Sequence, residues 1–200
     1  VESHGFSNEG GAFGSITLLK NSCGMHILQN IKREIEFADT RKYPWDDLVA
    51  MAMPFLEGGL YRTFDPNDAS LYNPSSMVTA VKALVGSDDL GLVLASAYHS
   101  LAVSYAQAIT DLEHITNKNY DTIHIIGGGA RNWHLNQMTA DISKKKVLAG
   151  PVEATSLGII AIQLMHAHPE MSITDVRSII KDSVEVQQYI PHGQEGKYRF

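Results

Sequence analysis

The chain has 200 residues, 44% of them apolar and 19% charged, with a formal net charge of −6. That composition suits a globular protein with a sizeable core, and the acidic balance argues against a nucleic-acid-binding surface. One cysteine, Cys23, excludes an intrachain disulfide and favours a cytosolic compartment, while no run of 18 uninterrupted apolar residues argues for a membrane span. The opening residues do not read as a leader. Because the chain begins at Val1 in structured-looking sequence, an excised domain or a processed fragment is the expectation.

In chain order, residues 4–7 and 15–19 read as two antiparallel strands around the turn Asn8-Glu9-Gly10-Gly11. A helix follows over residues 22–36, with Met25, Leu28, Ile31 and Ile35 as its apolar stripe. Asn21 stands where an N-cap would, and Gln29 reads as a solvated helix residue. After the break at Tyr43-Pro44-Trp45, a second helix runs to Leu56, with Asp46 and Asp47 suited to its first turn. Gly58 and Gly59 stop it.

Residues 60–73 have neither a helical nor a strand period, and a loop of that length in a compact domain is often functional. Asn73-Pro74 reads as the cap and first position of a third helix with Met77, Val81 and Leu84 on its apolar face. The longest helix spans residues 89–116. Its stripe of Leu90, Val93, Leu94, Ala97, Leu101, Tyr105, Ala108, Ile109, Leu112 and Ile115 predicts a continuous buried face.

Thr122, Ile123, His124, Ile125 and Ile126 then form a short β-branched strand that runs into Gly127, Gly128 and Gly129. A helix over residues 132–142 follows. A strand, a glycine turn and a helix start let backbone approach a ligand closely and aim N–H groups at an anion. Three glycines alone fit equally well a tight turn that binds nothing. The spacing is neither that of a Walker A loop nor the dinucleotide G-x-G-x-x-G. Lys144-Lys145-Lys146, the only basic cluster, reads as a solvated helix end. A strand over residues 146–150 and a helix to about His168 come next. In that helix Gly158 and Ala161 are small enough for close approach to a neighbour. The last helix covers residues 172–186, with Ser172 and Asp175 spaced as a capping box, and an irregular tail begins at Tyr189. The order β-β, helices, β-α-β-α predicts a mixed α/β domain.

Four of these blocks, in this order, resemble the FGGY family of carbohydrate kinases. Asn8-Glu-Gly-Gly11 followed by Leu19-Lys-Asn-Ser-Cys-Gly-Met-His-Ile-Leu-Gln29 looks like the family's entry to its second domain. Phe64-Asp-Pro-Asn-Asp68, with Asn73-Pro74 after it, is similar to members that act on L-rhamnulose. Ile126-Gly-Gly-Gly-Ala-Arg-Asn132, with Leu135-Asn-Gln137 and Ala140-Asp141, resembles the nucleotide-site signature. Ala149-Gly-Pro-Val-Glu-Ala-Thr-Ser-Leu-Gly158 with Ile162-Gln163 completes the set.

The resemblance implies an α/β fold of the actin-like ATPase (ribonuclease-H-like) type, a mixed sheet packed with helices. It implies that residues 1–200 are the C-terminal nucleotide-binding domain. The sugar-binding domain, this domain's first strand and the general-base aspartate would lie upstream, so no catalytic residue is assigned within the chain. It places Gly127, Gly128, Gly129, Gln29 and Asn132 at ATP, Asn21 at the sugar, and Glu153 and Thr155 as caps of the following helix. The implied partners are ATP with Mg²⁺ and a ketose, L-rhamnulose, phosphorylated at its 1-hydroxyl. No nucleic acid or membrane partner is implied, and the chain alone should bind ATP weakly without turnover.

Other readings are an FGGY kinase of D-xylulose, L-fuculose or glycerol, and a non-catalytic actin-like nucleotide-binding module. A metal-dependent hydrolase built from the nine histidines fits poorly. His166 and His168 point to different sides of a helix end, and no H-E-x-x-H spacing occurs.

Overall fold

The computed structural model describes residues 5–193. Its described residues up to Tyr120 form one compact unit, and Asp121–His192 form a second.

The first unit opens with β1 (Ser7–Gly10) and β2 (Ile16–Leu19), antiparallel with Ser7 opposite Leu19 and Gly10 opposite Ile16. Asn8, Glu9 and Gly10 therefore pair in a strand, where the sequence reading put the turn. Chain reversal falls at residues 11–15 instead, around a 3-10 turn. Glycine at 11 makes this possible: its N–H donates to the Ser15 carbonyl at 2.7 Å, and a Cβ there would sit 2.4 Å from Ser15 Oγ. His4 lies outside the described residues.

Helix α1 (His26–Ala38) begins four residues later than predicted, and Asn21 is not its cap. Met25 occupies the N-cap position without a side-chain bond. The buried stripe is Ile27, Leu28, Ile31 and Ile35. Helix α2 (Trp45–Glu57) carries Asp46 and Asp47 in its first turn, as expected from the helix dipole.

Helix α3 (Met77–Val85) is capped by Ser76, not by Asn73-Pro74: Ser76 Oγ accepts from Thr79 N at 3.0 Å. The shift has a tertiary cause. The Glu34 carboxylate, from α1, accepts from Ser76 Oγ, Met77 N and Val78 N, and so fixes where α3 starts.

Helix α4 (Leu90–Thr116) is capped by Asp89, whose carboxylate accepts from Gly91 N and Leu92 N. It packs on α2 and α3, burying Val93, Leu94, Ala97, Tyr98 and Leu101. The predicted buried stripe holds only over this first half; Tyr105, Ile109, Leu112 and Ile115 are half-buried. By length and composition α4 could cross a membrane, but its apolar first half is the core of this unit. The long loop before α3 is fastened to α4. Arg62 N donates to Ser96 Oγ and Phe64 N to Ser100 Oγ, both at 3.0 Å.

The second unit contains β3 (Thr122–Ile125), α5 (Trp133–Ser143), β4 (Lys146–Ala149), α6 (Ala154–Ala167), α7 (Ile173–Ser183) and β5 (Gln187–Tyr189). β4 is central, parallel to β3 and antiparallel to β5, with Val147 opposite both Ile123 and Tyr189. The parallel pair needs a crossover, and α5 supplies it. Ala140, Val147, Ala149 and Tyr189 form the core, with Ile123, Ile125 and Ala130 against it.

Helix α7 ends at Ser183, short of the predicted 186, and the strand β5 runs up to Tyr189, where the irregular tail was expected to begin. Only Tyr189 of its Gln-Gln-Tyr sequence favours a strand, and pairing to the edge of β4 completes it. The Ser172–Asp175 capping box is present as predicted. Gly158 is exposed with nothing near it, so it serves no close approach, whereas Ala161 is buried.

Candidate functional site

The glycine turn joins β3 to α5. Gly127 has φ +74, the left-handed region that glycine enters without steric cost. Its N–H donates to the Pro151 carbonyl at 3.1 Å, and Gly150 N donates to the Ile125 carbonyl at 2.8 Å. These two bonds stitch the end of β3 to the segment after β4. The chain then makes a 3-10 turn over Gly127–Arg131. The leading N–H groups of such a turn have no partner within it, which suits them to an anion.

Two asparagines brace this turn. Asn132 is only 5% exposed, and its Oδ1 accepts from Leu135 N at 3.0 Å as the N-cap of α5. The buried Asn136 donates from Nδ2 to the Ala130 carbonyl at 2.9 Å, tying α5 back to the end of the turn.

Gly128 contrasts with Gly127. It lies outside the left-handed region, is exposed, and a Cβ built there meets no atom within 4 Å. The fold thus explains a glycine at 127 and makes no demand for one at 128.

The other signature residues of α5 are structural. Gln137 Nε2 donates to the Ile190 carbonyl at 2.9 Å, and Asp141 Oδ1 accepts from His192 N at 2.7 Å. Together they fix the chain after β5. His134 is buried beside them, and burial pushes its ring down to about 4.

Asn21 and Gln29 belong to the first unit, and Gly127, Gly128, Gly129 and Asn132 to the second. Both Asn21 and Gln29 are exposed, Gln29 on the first turn of α1. Two cavities of about 300 and 500 Å³ also lie in the first unit, around Glu34, Ser76 and Lys82 and around Arg33, Phe37 and Arg41. None of the candidate site residues lines them.

Glu153 stands at the N-cap of α6 but makes no side-chain cap bond, so the capping expected of it is not formed. Thr155 is exposed. No three His, Cys, Asp or Glu side chains among the described residues converge as a metal site.

Sequence reading missed the structural part of Asn136, and that of Asn67, whose Oδ1 accepts from Cys23 N at 2.8 Å. Each lies within a quoted motif, but neither bond leaves a mark in local periodicity: Asn136 reaches back six residues to the glycine turn, and the partner of Asn67 is set by tertiary packing.

The β-α-β arrangement around a braced glycine turn, with one glycine open to solvent, defines an α/β domain. The model of the FGGY family of carbohydrate kinases, C-terminal domain, matches residues 2–167, and the chain belongs to that family. The fold class is therefore that of the actin-like ATPase domains. Among its relatives, rhamnulokinase of Bacillus subtilis (strain 168) is 35% identical over 195 residues, covering 93% of this chain and 38% of that protein. Rhamnulokinase of Halalkalibacterium halodurans is 32% identical over 198 residues, with 96% and 41% covered. That of Bacteroides thetaiotaomicron is 33% identical over 200 residues, with 96% and 39% covered. The chain thus spans about two fifths of the length of these curated relatives.

Proposed function

We propose that this chain is the ATP-binding half of a cytoplasmic kinase that transfers the γ-phosphoryl group of ATP to the 1-hydroxyl of L-rhamnulose. The general-base aspartate, the first strand of this domain and the sugar-binding domain belong to the rest of the polypeptide. This fits relatives that extend well beyond the matched stretch and a family match to a C-terminal domain.

Within the chain, the observation that carries the reading is Gly128. Its space is open, its backbone is unstrained, and the turn beside it is braced by Asn132 and Asn136. A glycine the fold does not require is explained by a ligand that needs the backbone bare. ATP supplies the phosphoryl group, and the glycine turn offers backbone donors and close approach to it.

Gly127 and Gly129 flank that contact. Asn132 fixes the start of α5, and in this reading its amide also borders the adenosine end. Gln29 offers ATP an exposed amide, able both to donate and to accept. Asn21 offers the same chemistry to the ketose hydroxyls. The Mg²⁺ that accompanies ATP finds no three-residue ligand set among the described residues.

The test is a coupled ADP-release assay on the full-length polypeptide with ATP and Mg²⁺, comparing L-rhamnulose, L-fuculose, D-xylulose and glycerol. Preference for L-rhamnulose is the expected result. Turnover on another sugar keeps the family and removes this substrate. Absence of turnover on all four favours a nucleotide-binding module.

A further inference from the structure

The connection from β2 to α1, residues 20–24, has no regular structure, yet it is tied down at almost every position. Lys20 Nζ pairs with Asp111 Oδ2 at 2.7 Å. The Ser22 and Ser104 hydroxyls lie 3.2 Å apart. Cys23 N donates to Asn67 Oδ1 at 2.8 Å. Gly24 packs beside Tyr105, whose hydroxyl would lie 3.6 Å from an added Cβ. Asn21 is the exception: its side chain is exposed and makes no hydrogen bond among the described residues.

Of these ties, Asn67 alone comes from the long loop before α3, and the loop is built to aim it. Asp65 Oδ1 accepts from both Asn67 N, at 2.9 Å, and Asn67 Nδ2, at 3.2 Å. With its amide group so held, Asn67 turns its carbonyl oxygen toward Cys23. Asp68 N donates to the Asp65 carbonyl at 3.0 Å and Phe64 N to Ser100 Oγ, so the segment stands on α4. Pro66 and Leu71 are buried beneath it.

We propose that Asn67 is a positioning residue for the sugar: by holding the Cys23 backbone it presents the Asn21 amide to the ketose hydroxyls. The inference rests on the reading that Asn21 meets the sugar. It gives the segment from Phe64 to Asp68 a mechanical task in ketose binding without direct contact. A free amide on a fixed backbone loses little freedom on binding, whereas one on a loose connection must be ordered by the ligand.

The experiment combines kinetics on the full-length kinase with amide hydrogen exchange at Cys23. Asn67→Ala removes the acceptor. The exchange variant Asp65→Asn/Asn67→Asp restores an acceptor for Cys23 and a donor–acceptor pair within the loop. Asn67→Ala is expected to speed exchange at Cys23 while the buried face of α1 stays protected. The ketose KM should rise about five- to tenfold, the loss of one such bond, with kcat and the ATP KM unchanged. The exchange variant should restore the ketose KM.

If Asn21→Ala raises the ketose KM and Asn67→Ala does not, the positioning role is overturned while the contact at Asn21 stands. If Asn21→Ala leaves the ketose KM unchanged, the reading of Asn21 fails and takes the proposal with it. If Asn67→Ala alters kcat and the ATP KM as much as the ketose KM, and the exchange variant rescues none of them, Asn67 is only structural and the proposal is overturned.

Discussion

Asn136 Nδ2 donates to the Ala130 carbonyl at 2.9 Å, so the first turn of α5 holds the far end of the glycine turn that leads into it. Asn136→Ala removes that donor and leaves the carbonyl with one partner fewer. The variant is expected to lose about 1–2 kcal/mol of stability in urea unfolding. Its ATP affinity should fall further than stability alone explains, because the turn loses its brace. An unchanged affinity at reduced stability would separate the turn from the nucleotide.

The two glycines differ in what the fold asks of them. Gly127→Ala places a Cβ on a residue at φ +74 and should cost about 1–2 kcal/mol. Gly128→Ala meets open space and should stay within about 0.5 kcal/mol of the parent. Denaturant midpoints of the pair check this directly.

His134 gives the stability a pH dependence of known sign. Burial lowers its pKa from 6.5 to about 4, so between those values the unfolded chain binds the proton and the folded chain does not. Stability is full above pH 6.5 and falls as pH drops toward 4. The loss approaches about 3 kcal/mol once both forms are protonated. His134→Phe, which cannot titrate, should flatten this limb of a pH series of unfolding curves. A limb of unchanged size in the variant would assign the effect elsewhere.

Gly91 sits where α4 meets α2. A Cβ there would lie 2.5 Å from Phe55 Cε2 and 2.6 Å from the Met51 carbonyl. The ring can swing aside, but the backbone oxygen cannot. Gly91→Ala should therefore cost about 1–3 kcal/mol through overpacking, readable as a lowered thermal midpoint.

The elements with strong local signals were legible in the sequence. The glycine turn, α5, β4 and the Ser172–Asp175 capping box lie where periodicity and cap chemistry put them. What was not legible depends on partners distant in the chain. Glu34 moves the start of α3 past Asn73-Pro74, and Asn67 fastens the residues before α1 that local preference would add to the helix. β5 forms because β4 offers an edge, and one strand-favouring residue in Gln-Gln-Tyr is too short a signal to announce it. Likewise the sequence showed three glycines as one motif. Only the surrounding atoms separate Gly127, which the turn requires, from Gly128, which it does not.

The most direct test of the account is calorimetric titration of ATP into this chain, as the parent and as Gly128→Asp. Weak, saturable binding by the parent is expected. In the variant, binding should be lost at an unchanged thermal midpoint, because the new carboxylate fills the open space and repels phosphate. Equal ATP binding by both proteins, or none by the parent, would contradict the assignment of the nucleotide site to the glycine turn.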